Sequence, residues 1–108
     1  MNFYKTILMI FLVIVFAGCM MKNYQNAIKV NQQKEYYQFI NSYKDDKNSK
    51  IQQLVNSSWK NIDKLQFRKA KDTATVTSYK QYISGDPSIG PIVPKYIKQH
   101  TEEAIKTH

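Results

Sequence analysis

The sequence predicts an all-α protein: a small domain of about four helices, two stacked helical hairpins, preceded by a short apolar leader. Apolar residues after Ala27 recur at spacings of three and four, with little of the alternation that marks strands. The chain of 108 residues holds only three Gly and three Pro, and its strongest turn signals are Asp45-Asp46-Lys47-Asn48-Ser49 and Ser84 to Pro91. This length supports at most one small domain, and a single Cys excludes a disulfide-stapled scaffold.

The first predicted helix runs from about Tyr24 to Tyr43, with Ala27, Ile28, Val30, Tyr36, Phe39, Ile40 and Tyr43 on its apolar face. A second covers Lys50 to Leu65, where Ile51, Leu54, Val55, Ser58, Trp59 and Ile62 form one stripe. Trp59 is expected in the core, with its replacement by Ala unfolding the domain. The third runs from about Phe67 to Ile83, although its β-branched middle, Thr73-Ala74-Thr75-Val76-Thr77, also suits a strand. A fourth covers roughly Ile92 to Lys106, with Pro94 in its first turn, where no amide donor is needed. Tyr36, Tyr79, Tyr82 and Tyr96 are expected to be large core residues with their hydroxyls at the edge.

At the N-terminus, a short region with Lys5 as its one basic residue precedes the unbroken apolar run Ile7 to Phe16, followed by Ala17-Gly18-Cys19. This order of basic, apolar and small segments reads as a secretory signal. The run is about half of the roughly 20 residues that cross a bilayer. Residues 1–18 are therefore assigned as a signal peptide that is removed, 19–25 as a modified N-terminus and polar tether, and 26–108 as the helical domain. Removal takes Lys5 away, so 16 basic against 8 acidic residues, formally +8, becomes +7.

Phe16-Ala17-Gly18-Cys19 resembles the lipobox of bacterial lipoproteins, with Phe16 where an aliphatic residue is usual. The resemblance implies that the Cys19 thiol is diacylglycerylated, that cleavage falls just before it, and that the new amino group is open to acylation. It further implies a cell-envelope location with membrane attachment through the N-terminal lipid. Met20 stands where inner-membrane lipoproteins of two-membraned bacteria often carry Asp, which favours the outer membrane in such a host.

The two halves align at an offset of 43: Ala27 on Ala70, Tyr36-x-Gln38-Phe39-Ile40 on Tyr79-x-Gln81-Tyr82-Ile83, Leu54 on Ile97, Ile62 on Ile105. This pattern resembles the helical hairpins of tetratricopeptide-like repeat proteins, whose usual period is about 34.

Nothing in the sequence has catalytic or metal-ligand spacing, and no enzyme activity, cofactor or metal is expected. His100 and His108 are two helical turns apart, Glu102 and Glu103 point in different directions, and Asp45-Asp46 reads as a solvated turn. Ser49, Ser57 and Ser58 have no partnered base and read as capping or surface residues. The basic excess suits acidic partners, and Lys60, Lys64, Arg68, Lys69 and Lys71 form the candidate anionic-surface site around an expected helix junction. Anionic lipid, an acidic envelope polymer or an envelope protein are the expected partners; nucleic acid is not expected for an exported chain. The functional expectation is a non-catalytic domain mediating interaction at the membrane surface. The alternative is a secreted-enzyme inhibitor or immunity-type protein that uses its basic face.

Overall fold

The computed structural model describes residues 19–98, 100, 104 and 105. The predicted signal peptide, with Glu102, Glu103 and His108, lies outside them. The fold is all-α, with four helices and no strand among the described residues: α1 over 19–30, α2 Gln33–Tyr43, α3 Ser49–Thr73 and α4 Val76–Ser84, followed by a 3₁₀ turn at Pro87–Ile89.

The predicted first helix is broken in two. Asn31 adopts a left-handed conformation with φ 53°, and its amide closes the end of α1 on the Ala27 carbonyl. Asn tolerates this backbone better than most residues, and its Oδ1 also accepts a 2.8 Å hydrogen bond from the Tyr36 hydroxyl. The chain therefore reverses, and α1 and α2 form an antiparallel hairpin. Asn23 donates to the Tyr43 hydroxyl at 3.1 Å, while Tyr24 meets Phe39 at a centroid distance of 5.3 Å. The expected irregular tether at 19–25 is helical instead, and Met20 is already buried. Its Met20, Tyr24 and Ala27 spacing supplies an apolar stripe that polar neighbours obscure, and because α1 buries that side, Ile28 and Val30, expected on the apolar face, are exposed.

The predicted second and third helices are joined as one rod. Leu65-Gln66-Phe67 contains no Gly or Pro, and Ile62, Gln66 and Ala70 continue one buried face across the expected junction. The break comes later, inside the segment that also suited a strand. Ala74 is left-handed at φ 54°, and Thr75 caps α4 in a reciprocal arrangement with Ser78: Ser78 N–H donates to Thr75 Oγ1 at 3.0 Å, and Thr75 N–H donates to Ser78 Oγ at 3.1 Å. The Ser78 hydroxyl also donates to the Ala70 carbonyl at 2.9 Å, tying α4 back along α3 as the second hairpin.

The fourth predicted helix is not formed at its start. Residues 92–98 run irregularly through a turn, with the Ile97 amide on the Pro94 carbonyl, and only 104–105 are helical among the described residues beyond. Pro91 and Pro94 remove two amide donors from this stretch. Tyr96, expected in the core, is 78 % exposed, whereas Val93 and Ile97 are buried.

Two hydrophobic clusters result. One joins α1, α2 and the first part of α3 through Met20, Ala27, Tyr36, Phe39, Ile40, Val55 and Ile62, with Val93 and Ile97 folded onto it. The second joins the end of α3 to α4 through Phe67, Ala70, Tyr79 and Tyr82, with Ala104. Trp59 is only half-buried at the margin of the first, edge-on to Tyr37 at 6.0 Å, so it is a flank rather than the centre of that core. In the 43-residue alignment, Ala27 and Ala70, Tyr36 and Tyr79, and Phe39 and Tyr82 are all buried, but Ile62 is buried where Ile105 is exposed.

A buried polar junction links the clusters. Gln66 donates through Nε2 to Gln33 Oε1 at 3.0 Å and to the Pro91 carbonyl at 2.8 Å, while Gln33 Nε2 donates to the Ile89 carbonyl at 3.2 Å. Gly90 sits against this junction with φ 140° and ψ −166°, a backbone region almost confined to Gly. A Cβ there would strike the Gln33 amide. Gly85 differs: its φ is 71°, but a Cβ would meet nothing closer than 3.9 Å.

Replacement of Gly90 by Ala should therefore cost at least about 2 kcal/mol, whereas Gly85→Asn should cost less than about 1 kcal/mol because Asn accepts the left-handed region. Urea unfolding of both variants checks this; equal losses would contradict the junction. Burial pushes the Tyr36 hydroxyl above its ordinary value of 10.0, with Tyr24 adding to the rise. The fold thus favours neutral Tyr36, a contribution intact below the unfolded value and lost as pH climbs through the raised one. The urea midpoint of the native chain should fall between about pH 9 and 11 more steeply than that of Tyr36→Phe.

Candidate functional site

The five basic residues expected to act together all lie on α3 and are exposed, but they do not share one face. At about 100° per residue, Lys60, Lys64, Arg68 and Lys71 fall within an arc of about 80°, and Lys69 lies about 100° further round. The surface relief agrees with this division. Lys64, Arg68 and Lys71 line an open groove of about 780 Å³ with Phe67, Asp72 and His100. Lys69 instead borders a smaller cleft of about 220 Å³ between α3 and α4, beside Thr77, Ser78 and Gln81.

The floor of the larger groove is aromatic. His100 stacks on Phe67 with ring centroids 4.6 Å apart and planes 9° from parallel. The Lys71 ammonium lies 5.9 Å from the Phe67 centroid. Phe67 is itself buried in the second cluster, so the core fixes the plate on which the imidazole rests. His100 is half-buried. Among the described residues, three cations and one carboxylate around a planar floor offer ionic and stacking contacts to an anion.

Behind the groove runs a polar network that the sequence did not reveal. The Tyr82 hydroxyl donates to the buried Asp63 carboxylate at 2.7 Å. The Lys98 ammonium donates to the Tyr82 carbonyl and, at 3.2 Å, to the Ile83 carbonyl, and lies 4.6 Å from the Tyr82 ring centroid. Lys98 thereby satisfies carbonyls at the end of α4, where a cation also complements the helix dipole. Burial lowers its pKa below the ordinary lysine value, partly opposed by the Asp63 charge. Asp63 follows the buried Ile62 on α3 and Lys98 lies in the irregular 92–98 stretch, and neither was singled out by its spacing.

The remaining polar residues take structural positions. Ser58 is buried and donates to the Leu54 carbonyl at 2.9 Å, and Ser57 is half-buried. Asn48 caps α3, accepting from the Lys50 amide at 2.9 Å, with Ser49 as the first helical residue. Asp46 accepts from the Asn48 amide at 2.9 Å, and Asp45 is exposed. Among the described residues, no group of three or more His, Cys, Asp or Glu side chains could hold a metal ion.

Cys19, the predicted lipidation residue, is an exposed free thiol. It lies at the first described position, one residue before the buried Met20. The α1–α2 pairing of Asn23 with Tyr43 puts it at the end of the molecule occupied by the 44–48 connection and the start of α3. No helix among the described residues is long and apolar enough to cross a membrane. Compared with family profiles, curated proteins and solved structures, the chain has no match in any of the three.

Proposed function

We propose that the chain is a bacterial cell-envelope lipoprotein, anchored through Cys19, whose non-catalytic helical domain acts at the membrane surface. The observation that carries this reading is the tetrapeptide Phe16-Ala17-Gly18-Cys19 directly behind an apolar run too short for a stable span. The exposed thiol supports it, since an acylating enzyme needs access to sulfur. A lone exposed thiol in an exported chain is otherwise an oxidisable liability, and thioether formation removes it. Two or more acyl chains, at about 0.8 kcal/mol per buried methylene, give stable attachment without any spanning helix.

The burial of Met20 adds a mechanical consequence. With the packed structure beginning one residue after the anchor, acyl chains and domain are coupled without a flexible linker. The domain is held against the headgroups, and its end nearest Cys19 is the end that meets them. Met20 at the position after the anchor favours the outer membrane in a two-membraned host.

Mass spectrometry of the protein from the membrane fraction tests the anchor. The expected N-terminus is residue 19 carrying a diacylglyceryl thioether, and Cys19→Ser should remain uncleaved and unlipidated. Recovery of residues 1–18 on the mature native protein, or of unmodified Cys19, would overturn the proposal.

A further inference from the structure

We propose that the Lys60, Lys64, Arg68 and Lys71 stripe of α3 is a binding surface for a linear, phosphate-bearing polyanion in the aqueous envelope, and not a contact to the anchoring membrane. The inference rests on the anchored reading, and it follows from which end of the molecule carries Cys19. Because α1 and α2 are antiparallel, Cys19 shares one end with Tyr43, the 44–48 connection and Ser49. From Ser49, α3 runs without interruption to Thr73. At 1.5 Å per residue, Lys60 lies about 16 Å along that rod and Lys71 about 33 Å. Both distances exceed the screening length of about 8 Å at physiological ionic strength. Headgroups under the Cys19 end therefore act weakly on these charges. Lys22, Lys44, Lys47 and Lys50, all exposed near that end, are the cations placed to meet them.

The stripe itself has the form a linear polyanion needs. Its charges recur at intervals of four, four and three residues, so each helical turn of about 5.4 Å presents one cation. A chain with regularly spaced charges can follow such a row, whereas a compact anion uses one or two members. Arg68 stands between Lys64 and Lys71 along the row, and its guanidinium fork matches the geometry of a phosphate oxygen pair. Around it the 780 Å³ groove and the stacked Phe67 and His100 plate give the polymer a wall on one side. Among the described residues, Asp72 is the one acid lining that groove.

The test uses the full chain expressed with its leader, recovered in lipidated form and placed in nanodiscs of neutral phosphatidylcholine. Binding of fluorescein-labelled inorganic polyphosphate is followed by anisotropy over a salt series. Polyphosphate should bind with a marked salt dependence, and Lys64→Glu combined with Lys71→Glu should weaken it by about tenfold or more and flatten the log–log salt slope by about two. Lys69→Glu combined with Lys80→Glu makes the same change in net charge on other exposed positions, and should alter affinity by no more than about twofold. Absence of binding, or equal losses in the two double variants, would overturn the proposal. So would lysine acetylation footprinting in phosphatidylglycerol nanodiscs, without polyphosphate, that found Lys64 and Lys71 protected: the stripe would then be a headgroup contact. Maleimide labelling of Cys19 in the same preparation reports separately on the anchor, because a thioether-linked Cys19 does not react; the affinity arm stands whichever way that result falls.

Discussion

The side-chain amide of Gln66 is the point at which the two halves of this protein meet. It is buried between two hydrophobic clusters, and its donors hold Gln33 at the start of α2 and the Pro91 carbonyl of the chain that returns from α4. A buried amide left without partners costs about 1–3 kcal/mol, so both contacts must form together for the fold to keep Gln66 inside. That requirement fixes the axial register of α2 on α3 and the path of the 87–91 turn at once. It also explains Gly90, because only a residue without Cβ lets the turn approach the paired glutamines.

The same register determines what the surface offers. α3 is one rod because Gln66 keeps the buried face continuous where a junction was expected, and a continuous rod places its basic residues by helical geometry alone. Four of them form a line, while Lys69 is turned toward α4. The rod also separates the two ends of the molecule. The end beside Cys19 carries the 44–48 connection, and the basic groove lies toward the other, over the second hydrophobic cluster.

Much of the class was legible in the sequence. Spacings of three and four among Tyr36, Phe39, Ile40, Val55 and Ile62 identified helices and most of the first cluster, and Tyr79 and Tyr82 announced the second. The breaks were less legible, because they depend on residues with weak local signals. Asn31 ends α1 through a left-handed backbone that Asn merely tolerates, and Ala74 ends α3 in a conformation its side chain does nothing to favour. Turn-forming Gly and Pro mark Ser84 to Pro91, but these two turns contain neither. Lys69 lies on a different face from the other four basic residues for a related reason: proximity in sequence resembles proximity in space at a junction, and α3 continues where a junction was expected. Asp63, Tyr82 and Lys98 converge only through tertiary packing, beyond the reach of any local pattern.

A rigid domain that begins packing at Met20 and stands with its basic stripe remote from the acyl anchor is the central claim, and depth in the membrane measures it most directly. Single cysteines at Lys47 and Lys71 in the lipidated protein, each carrying an environment-sensitive fluorophore, can be read against headgroup-located quenchers in phosphatidylglycerol vesicles. Strong quenching is expected at position 47 and little at position 71. Equal quenching at both, or stronger quenching at 71, would show α3 lying along the membrane and contradict it.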